Sequence, residues 1–96
     1  MDQNQLLDRA KKRLGLTTDL ALARRLQVRA SRLSEIRNGS LPADAYEVFR
    51  LAEWAEVDPL LAFAAVRKER DRNPVKKAFW ENVLSRRENL PRLEDQ

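Results

Sequence analysis

Apolar residues recur along the chain three and four positions apart, which is the spacing of a helical face, and turn residues interrupt the pattern. The first run, Leu6, Leu7, Ala10 and Leu14, is followed by Gly15, a residue that commonly ends helices. It predicts a first helix over residues 3–14. No useful length of sequence alternates with period two, so the pattern predicts an all-α fold.

Two short helices joined by a tight turn are predicted next. Thr17 or Thr18 can cap the first of them, which ends near Gln27. The second covers residues 30–37, where two apolar side chains face inward. This arrangement is typical of a helix-turn-helix, in which the second helix enters the major groove of DNA.

Three longer helices follow, over about residues 43–55, 59–72 and 74–87. The last two begin at Asp58-Pro59 and Asn73-Pro74. An N-cap residue followed by Pro at the first helical position is a strong signal for a helix start. These patterns therefore predict one domain of five or six helices over residues 1–88, followed by a flexible tail over 89–96.

The net charge of +4 is unevenly distributed. Residues 9–37 carry nine Lys or Arg against two acids, a net +7, whereas residues 38–62 carry a net −4. Such asymmetry indicates a face that binds a polyanion, although a solvated helical surface is the alternative. The basic segment contains no aromatic residue, which favours a DNA duplex over single strands and over a membrane surface.

The residue types exclude much other chemistry. The chain has no Cys and no His, and its two Gly lie far apart outside any phosphate-binding frame. We therefore expect no enzymatic activity, no metal, no cofactor and no small-molecule ligand. The longest apolar run has seven residues and no signal peptide is recognisable, so we expect a cytoplasmic protein.

The segment Thr18–Pro42, TDLALARRLQVRASRLSEIRNGSLP, resembles the helix-turn-helix of the Cro and C repressors of temperate phages. The stretches 51–59 and 79–81 are also similar to small prophage regulators of that group. The resemblance implies a lambda-repressor-like domain and a transcriptional repressor of the immunity or Cro type. It further implies a homodimer on a pseudo-palindromic operator, with an antirepressor protein as an additional candidate partner.

Two other functions fit the same sequence. One is the antitoxin of a toxin–antitoxin pair, which would also repress its own promoter. The other is a protein-interaction module that acts through helices five and six without binding DNA.

The chain departs from the family pattern at the turn. Gln27 occupies a position where the family has Gly, because the turn requires a positive φ. Arg29 stands where the family prefers a Ser or Thr cap. Either Arg29 is present to bind a phosphate or a base, or Ser31 caps the helix and the helix begins later.

The resemblance also assigns roles to individual residues. The base-reading positions are Ala30, Ser31, Arg32 and Glu35, although an ion pair between Arg32 and Glu35 is the alternative for those two. The candidate phosphate contacts are the backbone of Asp19, together with Arg24, Arg25, Arg29, Arg37, Asn38 and Gly39. The family often has Gln at position 19, where the side chain contacts a phosphate. The negatively charged carboxylate of Asp19 would repel that phosphate, which leaves the backbone amide as the candidate contact.

A dimer interface is predicted on helix six. Val75, Phe79 and Val83 form one apolar stripe at a spacing of four residues, and Trp80 and Leu84 form the next. The first four helices already supply the core of a minimal domain, and helices five and six add a large further set of apolar side chains: Leu60, Leu61, Phe63, Val66, Phe79 and Trp80. We therefore expect a two-fold dimer built largely on this helix.

Overall fold

The computed structural model describes residues 1–89, which form six α-helices and, over that range, no strand. The prediction of an all-α fold is therefore confirmed. The helices are α1 (Gln3–Leu14), α2 (Asp19–Leu26), α3 (Ala30–Arg37), α4 (Ala45–Ala55), α5 (Pro59–Arg70) and α6 (Pro74–Asn89). None of them is long and apolar enough to cross a bilayer. The predicted tail, apart from its first residue, lies outside the described residues.

The helix limits agree with the sequence pattern except at a few ends. α4 begins two residues later than predicted because Asp44 and Glu47 form a reciprocal cap. The Asp44 carboxylate accepts from the amide of Glu47, and the Glu47 carboxylate accepts from the amide of Asp44, both at 2.8 Å. Asp2 and Gln5 make the same arrangement at the start of α1.

The first four helices enclose a hydrophobic core to which α5 contributes Ala62. Almost all the side chains that the pattern assigned to the interior of these helices are buried there. They are Leu6, Leu7, Ala10, Leu22, Ala23, Leu26, Leu33, Ile36, Val48, Leu51 and Ala52. This core fixes the positions of α2 and α3 relative to each other.

Side-chain amides from α1 hold the C-terminal end of α3. The buried Gln3 donates from Nε2 to the carbonyl of Ile36 at 2.8 Å and accepts from the amide of Ala43 at 3.2 Å. Asn4 donates from Nδ2 to the carbonyl of Arg37 at 2.9 Å. The last carbonyls of a helix lack intrahelical donors, so these two amides satisfy them and fix the orientation of α3.

Three helices end in the same left-handed turn. The residues after α1, α2 and α4 are Gly15, Gln27 and Glu56, with φ values of 70°, 63° and 58°. In each turn the next residue is apolar, and its amide donates to a carbonyl five residues earlier. These bonds are Leu16 to Lys11, Val28 to Ala23 and Val57 to Ala52. This pattern is the Schellman motif, in which glycine is the favoured residue at the left-handed position.

Candidate nucleic-acid interface

The turn between α2 and α3 has the conformation that the sequence predicted. Gln27 has φ 63° and ψ 41°, so a non-glycine residue occupies the left-handed region. The amide of Val28 donates to the carbonyl of Ala23 at 3.0 Å, and the Val28 side chain packs against the core. A backbone hydrogen bond and a core contact therefore hold the turn in place despite the backbone strain at Gln27.

Replacing Gln27 with Gly should stabilise the protein by about 0.5–1 kcal/mol, since glycine adopts this φ without the steric cost. Chemical denaturation followed by circular dichroism measures the change. Gln27→Ala is the matched control, because alanine removes the same polar side chain but keeps the Cβ that is strained at this φ, and so it should gain nothing. Equal or lower stability of Gln27→Gly would show that the left-handed conformation carries no strain.

The start of α3 resolves the two alternatives for Arg29. The helix begins at Ala30, and Arg29 is the N-cap residue with no hydrogen bond from its side chain to the helix. The alternative in which Ser31 caps a later start is therefore wrong. The first amides of α3 have no side-chain acceptor from the cap, and Arg29, which is exposed, immediately precedes them in the chain.

One face of α3 points to solvent and carries small polar side chains. Of the predicted base-reading residues, Ala30 and Ser31 are exposed and Glu35 is half-buried. Ser34, three residues after Ser31, is exposed as well, although it was not among the predicted residues. The helical spacing from Ser31 was the signal that could have identified it.

Arg32 does not belong to that face. Its Nε and Nη2 donate to the two carboxylate oxygens of Glu47 at 2.8 and 2.6 Å, and Nη2 also donates to the carbonyl of Pro42 at 3.0 Å. Arg32 therefore joins α3 to α4. The ion pair with Glu35 that was the alternative for this residue is not present, because Glu47 and the carbonyl of Pro42 bind Nε and Nη2 of the guanidinium. The base contact stays a prediction, and it would require Arg32 to leave these partners.

The pair between Arg32 and Glu47 lies in the interior. Glu47 is only 2% exposed, whereas the Arg32 side chain is 26% exposed. Burial raises the pKa of the Glu47 carboxyl, but the hydrogen bonds from Arg32 and from the amide of Asp44 outweigh it and leave that pKa lowered. The hydrogen bonds to Glu47 in turn raise the pKa of Arg32, against the opposing effect of burial. Both groups are therefore charged at neutral pH.

Arg37 is also engaged within the protein. It donates from Nε and Nη2 to the Asp19 carboxylate at 3.0 and 2.9 Å, and its Nη1 lies 2.9 Å from Asp8. Lys11 contacts Asp19 from the other side at 2.9 Å. The hydrogen bonds from Arg37 lower the pKa of Asp19. Two carboxylates thus occupy the guanidinium proposed for a phosphate, and two cations neutralise the carboxylate expected to repel one.

The backbone amides that follow α3 also form hydrogen bonds within the protein. The amide of Asn38 donates to Ser34, and that of Gly39 donates to Ile36, at 2.9 and 3.2 Å. The Asn38 side chain accepts from the amide of Ser40 at 2.9 Å. These backbone groups were predicted to anchor a phosphate, but they complete the end of α3 instead.

Three of the predicted phosphate contacts remain available. Arg24 and Arg25 lie in the last turn of α2, and Arg29 precedes α3. All three are exposed, and none has an ion pair or side-chain hydrogen bond within residues 1–89. The amide of Asp19, in the first turn of α2, also lacks an intrahelical acceptor. The unpaired cations of the basic segment, residues 9–37, thus lie mostly at the turn between α2 and α3. Lys12 on α1 is also unpaired.

The predicted dimer residues of α6 divide into two groups. Val75 and Phe79 are exposed, whereas Trp80, Val83 and Leu84 are half-buried. The Trp80 ring packs edge-on against Phe63 of α5, and its Nε1 donates to Asp71 at 2.9 Å. Trp80 therefore attaches α6 to α5, and the exposed part of the predicted stripe is smaller than expected.

No protein-family model, curated protein or solved structure matches this chain.

Proposed function

We propose that the protein binds double-stranded DNA through α2 and α3 and represses transcription. The observation that supports this function is the placement of Arg24, Arg25 and Arg29 on either side of the turn that precedes α3. Most other cations of the basic segment are neutralised or held internally. Within residues 9–37, the unpaired positive charge is thus concentrated near the start of the helix that would enter a groove.

The start of α3 adds to this positive charge. Its uncapped amides and the helix dipole both attract anions, and Arg29 adds a full charge at the same point. Arg24 and Arg25 extend the charge along α2. Phosphates on either side of a groove are therefore the proposed ligands of this surface.

The exposed face of α3 supplies the base contacts. Ser31 and Ser34 carry hydroxyls that donate and accept, and Glu35 accepts from the amino group of cytosine. Ala30 is small enough to let the helix approach the base edges and offers a methyl contact to thymine. Specificity is thus assigned to this face and affinity to the three arginines.

Repression follows if the bound site overlaps a promoter, because the protein then competes with RNA polymerase. The resemblance to Cro and C repressors supports this role over activation. A pseudo-palindromic operator is the expected site, with each half contacted by one copy of α3.

Selection from a library of randomised duplexes tests the proposed function. We expect one sequence motif to be enriched and Glu35→Gln to alter the preferred base at one position of each half-site, since the variant loses a carboxylate acceptor. Stability of the variant should stay within about 0.5 kcal/mol, because Gln matches Glu in size and the Glu35 side chain makes no hydrogen bond or ion pair within residues 1–89. Failure to enrich any duplex at low salt would contradict the proposed function.

A further inference from the structure

Two carboxylates bind the guanidinium of Arg37, and one of them is held much less firmly than the other. Asp19 accepts from Nε and Nη2 of Arg37 at 3.0 and 2.9 Å, and it also pairs with Lys11 at 2.9 Å. Asp8 contacts Nη1 alone, at 2.9 Å, and its side chain is 63% exposed. Exposed single contacts of this kind contribute little to stability. The pair between Asp8 and Arg37 is therefore open to exchange with an anion from solution.

The edge of Arg37 that Asp8 occupies is chemically suited to a phosphate. A guanidinium binds carboxylates and phosphates through the same N–H donors, and arginine is the preferred side chain for both. The Arg37 side chain is 27% exposed, so its guanidinium reaches solvent. Since Asp19 holds Nε and Nη2, the Nη1 side remains for a second anion.

This edge lies next to the surface that we propose for DNA. Arg37 belongs to the last turn of α3, and Asp19, which it binds, is in the first turn of α2. The backbone amide of the same Asp19 is one of the candidate phosphate contacts. Asp8 and Lys11 approach from α1. A duplex that contacts the start of α2 would thus bring its phosphates close to Asp8.

The charges at this point balance in the free protein. Arg37 and Lys11 contribute two positive charges, and Asp8 and Asp19 contribute two negative charges. The turn between α2 and α3, in contrast, carries three unpaired arginines. Loss of Asp8 alone would leave a net positive charge beside the start of α2.

We propose that Asp8 is an internal substitute for a DNA phosphate, which binds Nη1 of Arg37 in the free protein and is displaced by the duplex. This inference rests on the proposed function, and it concerns the regulation of that surface. Each contact that a phosphate makes with Arg37 breaks an existing ion pair and leaves Asp8 close to the phosphate. Arg37 therefore adds less affinity than an unpaired arginine does, and Asp8 limits the affinity for any duplex.

Asp8→Asn tests the proposal by fluorescence anisotropy with selected and random duplexes. Asparagine has the size of aspartate but no charge, so Arg37 becomes available without a competing carboxylate. We expect about fivefold tighter binding near 0.1 M salt, which is the upper range for an exposed ion pair. The slope of log affinity against log salt should become steeper by about 0.9, since one more phosphate is neutralised without an exchange.

Two matched variants separate this exchange from a general effect of charge. Glu81→Gln removes one exposed carboxylate from α6 and should bind duplexes nearly like wild type. Arg37→Gln removes the guanidinium, and in this background Asp8→Asn should no longer strengthen binding. Circular dichroism should show wild-type helical content for Asp8→Asn, because Asp19 still holds Arg37.

The outcomes distinguish this inference from the proposed function. If wild type binds duplexes and Asp8→Asn binds them no better, the ion pair only joins α1 to α3 and the inference is overturned. An equal gain from Asp8→Asn with and without Arg37 would overturn it too, because Asp8 would then act by repulsion at a distance. Absence of duplex binding by wild type and by all variants would contradict the proposed function as well.

Discussion

Arg32→Ala should lower the free energy of unfolding by about 3 kcal/mol, measured by chemical denaturation at neutral pH. The variant removes both hydrogen bonds to Glu47, which stays in the interior with only 2% exposure. Removing one partner of a buried ion pair leaves an uncompensated charge, and the typical cost is about 3–5 kcal/mol. The lower figure applies because the guanidinium itself is partly solvated.

Two further variants identify the cause of that loss. Arg29→Ala removes an exposed arginine next to the same helix and should change stability by less than about 0.5 kcal/mol. The double variant Arg32→Met with Glu47→Leu removes both charges together and should regain most of the lost stability. A double variant as unstable as Arg32→Ala would show that Glu47 is not left with an unpaired charge.

DNA binding provides an independent test of the same residue. If Arg32 acts only between α3 and α4, Arg32→Ala should lower the affinity for selected and random duplexes by the same factor, through the folded fraction. A residue that reads a base would instead lose about 1–3 kcal/mol on the selected sequence and much less on random DNA. A stable Arg32→Ala with that selective loss would contradict the structural role.

The second large effect is expected from the cations at the turn. Replacing Arg24, Arg25 and Arg29 with alanine together should reduce duplex affinity about 100-fold near 0.1 M salt, for selected and random sequences alike. Each lost phosphate contact also removes about 0.9 from the slope of log affinity against log salt, so the slope should fall by about 2.7. Fluorescence anisotropy across a salt series measures both quantities.

A control variant with the same loss of positive charge separates the effect of the position of the arginines from the effect of net charge. Arg72, Lys77 and Arg86 are exposed on or before α6, away from the turn. Their triple alanine variant has the same net charge but should keep nearly the wild-type slope. An equal loss of affinity in both triple variants would mean that DNA responds to overall charge rather than to this surface.

Helix positions could be predicted from the sequence because they depend on local signals. Gly15, Asp58-Pro59 and Asn73-Pro74 act within a few residues, and the structure places helix limits at each of them. The positive φ of Gln27 was predictable for a similar reason, because the turn geometry requires it. Glu56 adopts the same conformation without a glycine to signal it, so it was missed.

The pairing of charges could not be predicted in the same way. Arg32 meets Glu47 and Arg37 meets Asp8 across separate helices, and no sequence spacing encodes which side chains the core brings together. The basic segment therefore has much less unpaired charge than its composition suggests. Exposure along α3 was predictable only where helical periodicity alone decides it, as at Ser31.

Titration of the isotope-labelled protein with a selected duplex, followed through amide NMR shifts, tests whether α2 and α3 present one surface to DNA. We expect the largest shifts at the amide of Asp19 and over residues 24–35, which contain the three unpaired arginines and the exposed face of α3. Shifts confined to α5 and α6, or no shifts at low salt, would contradict this expectation.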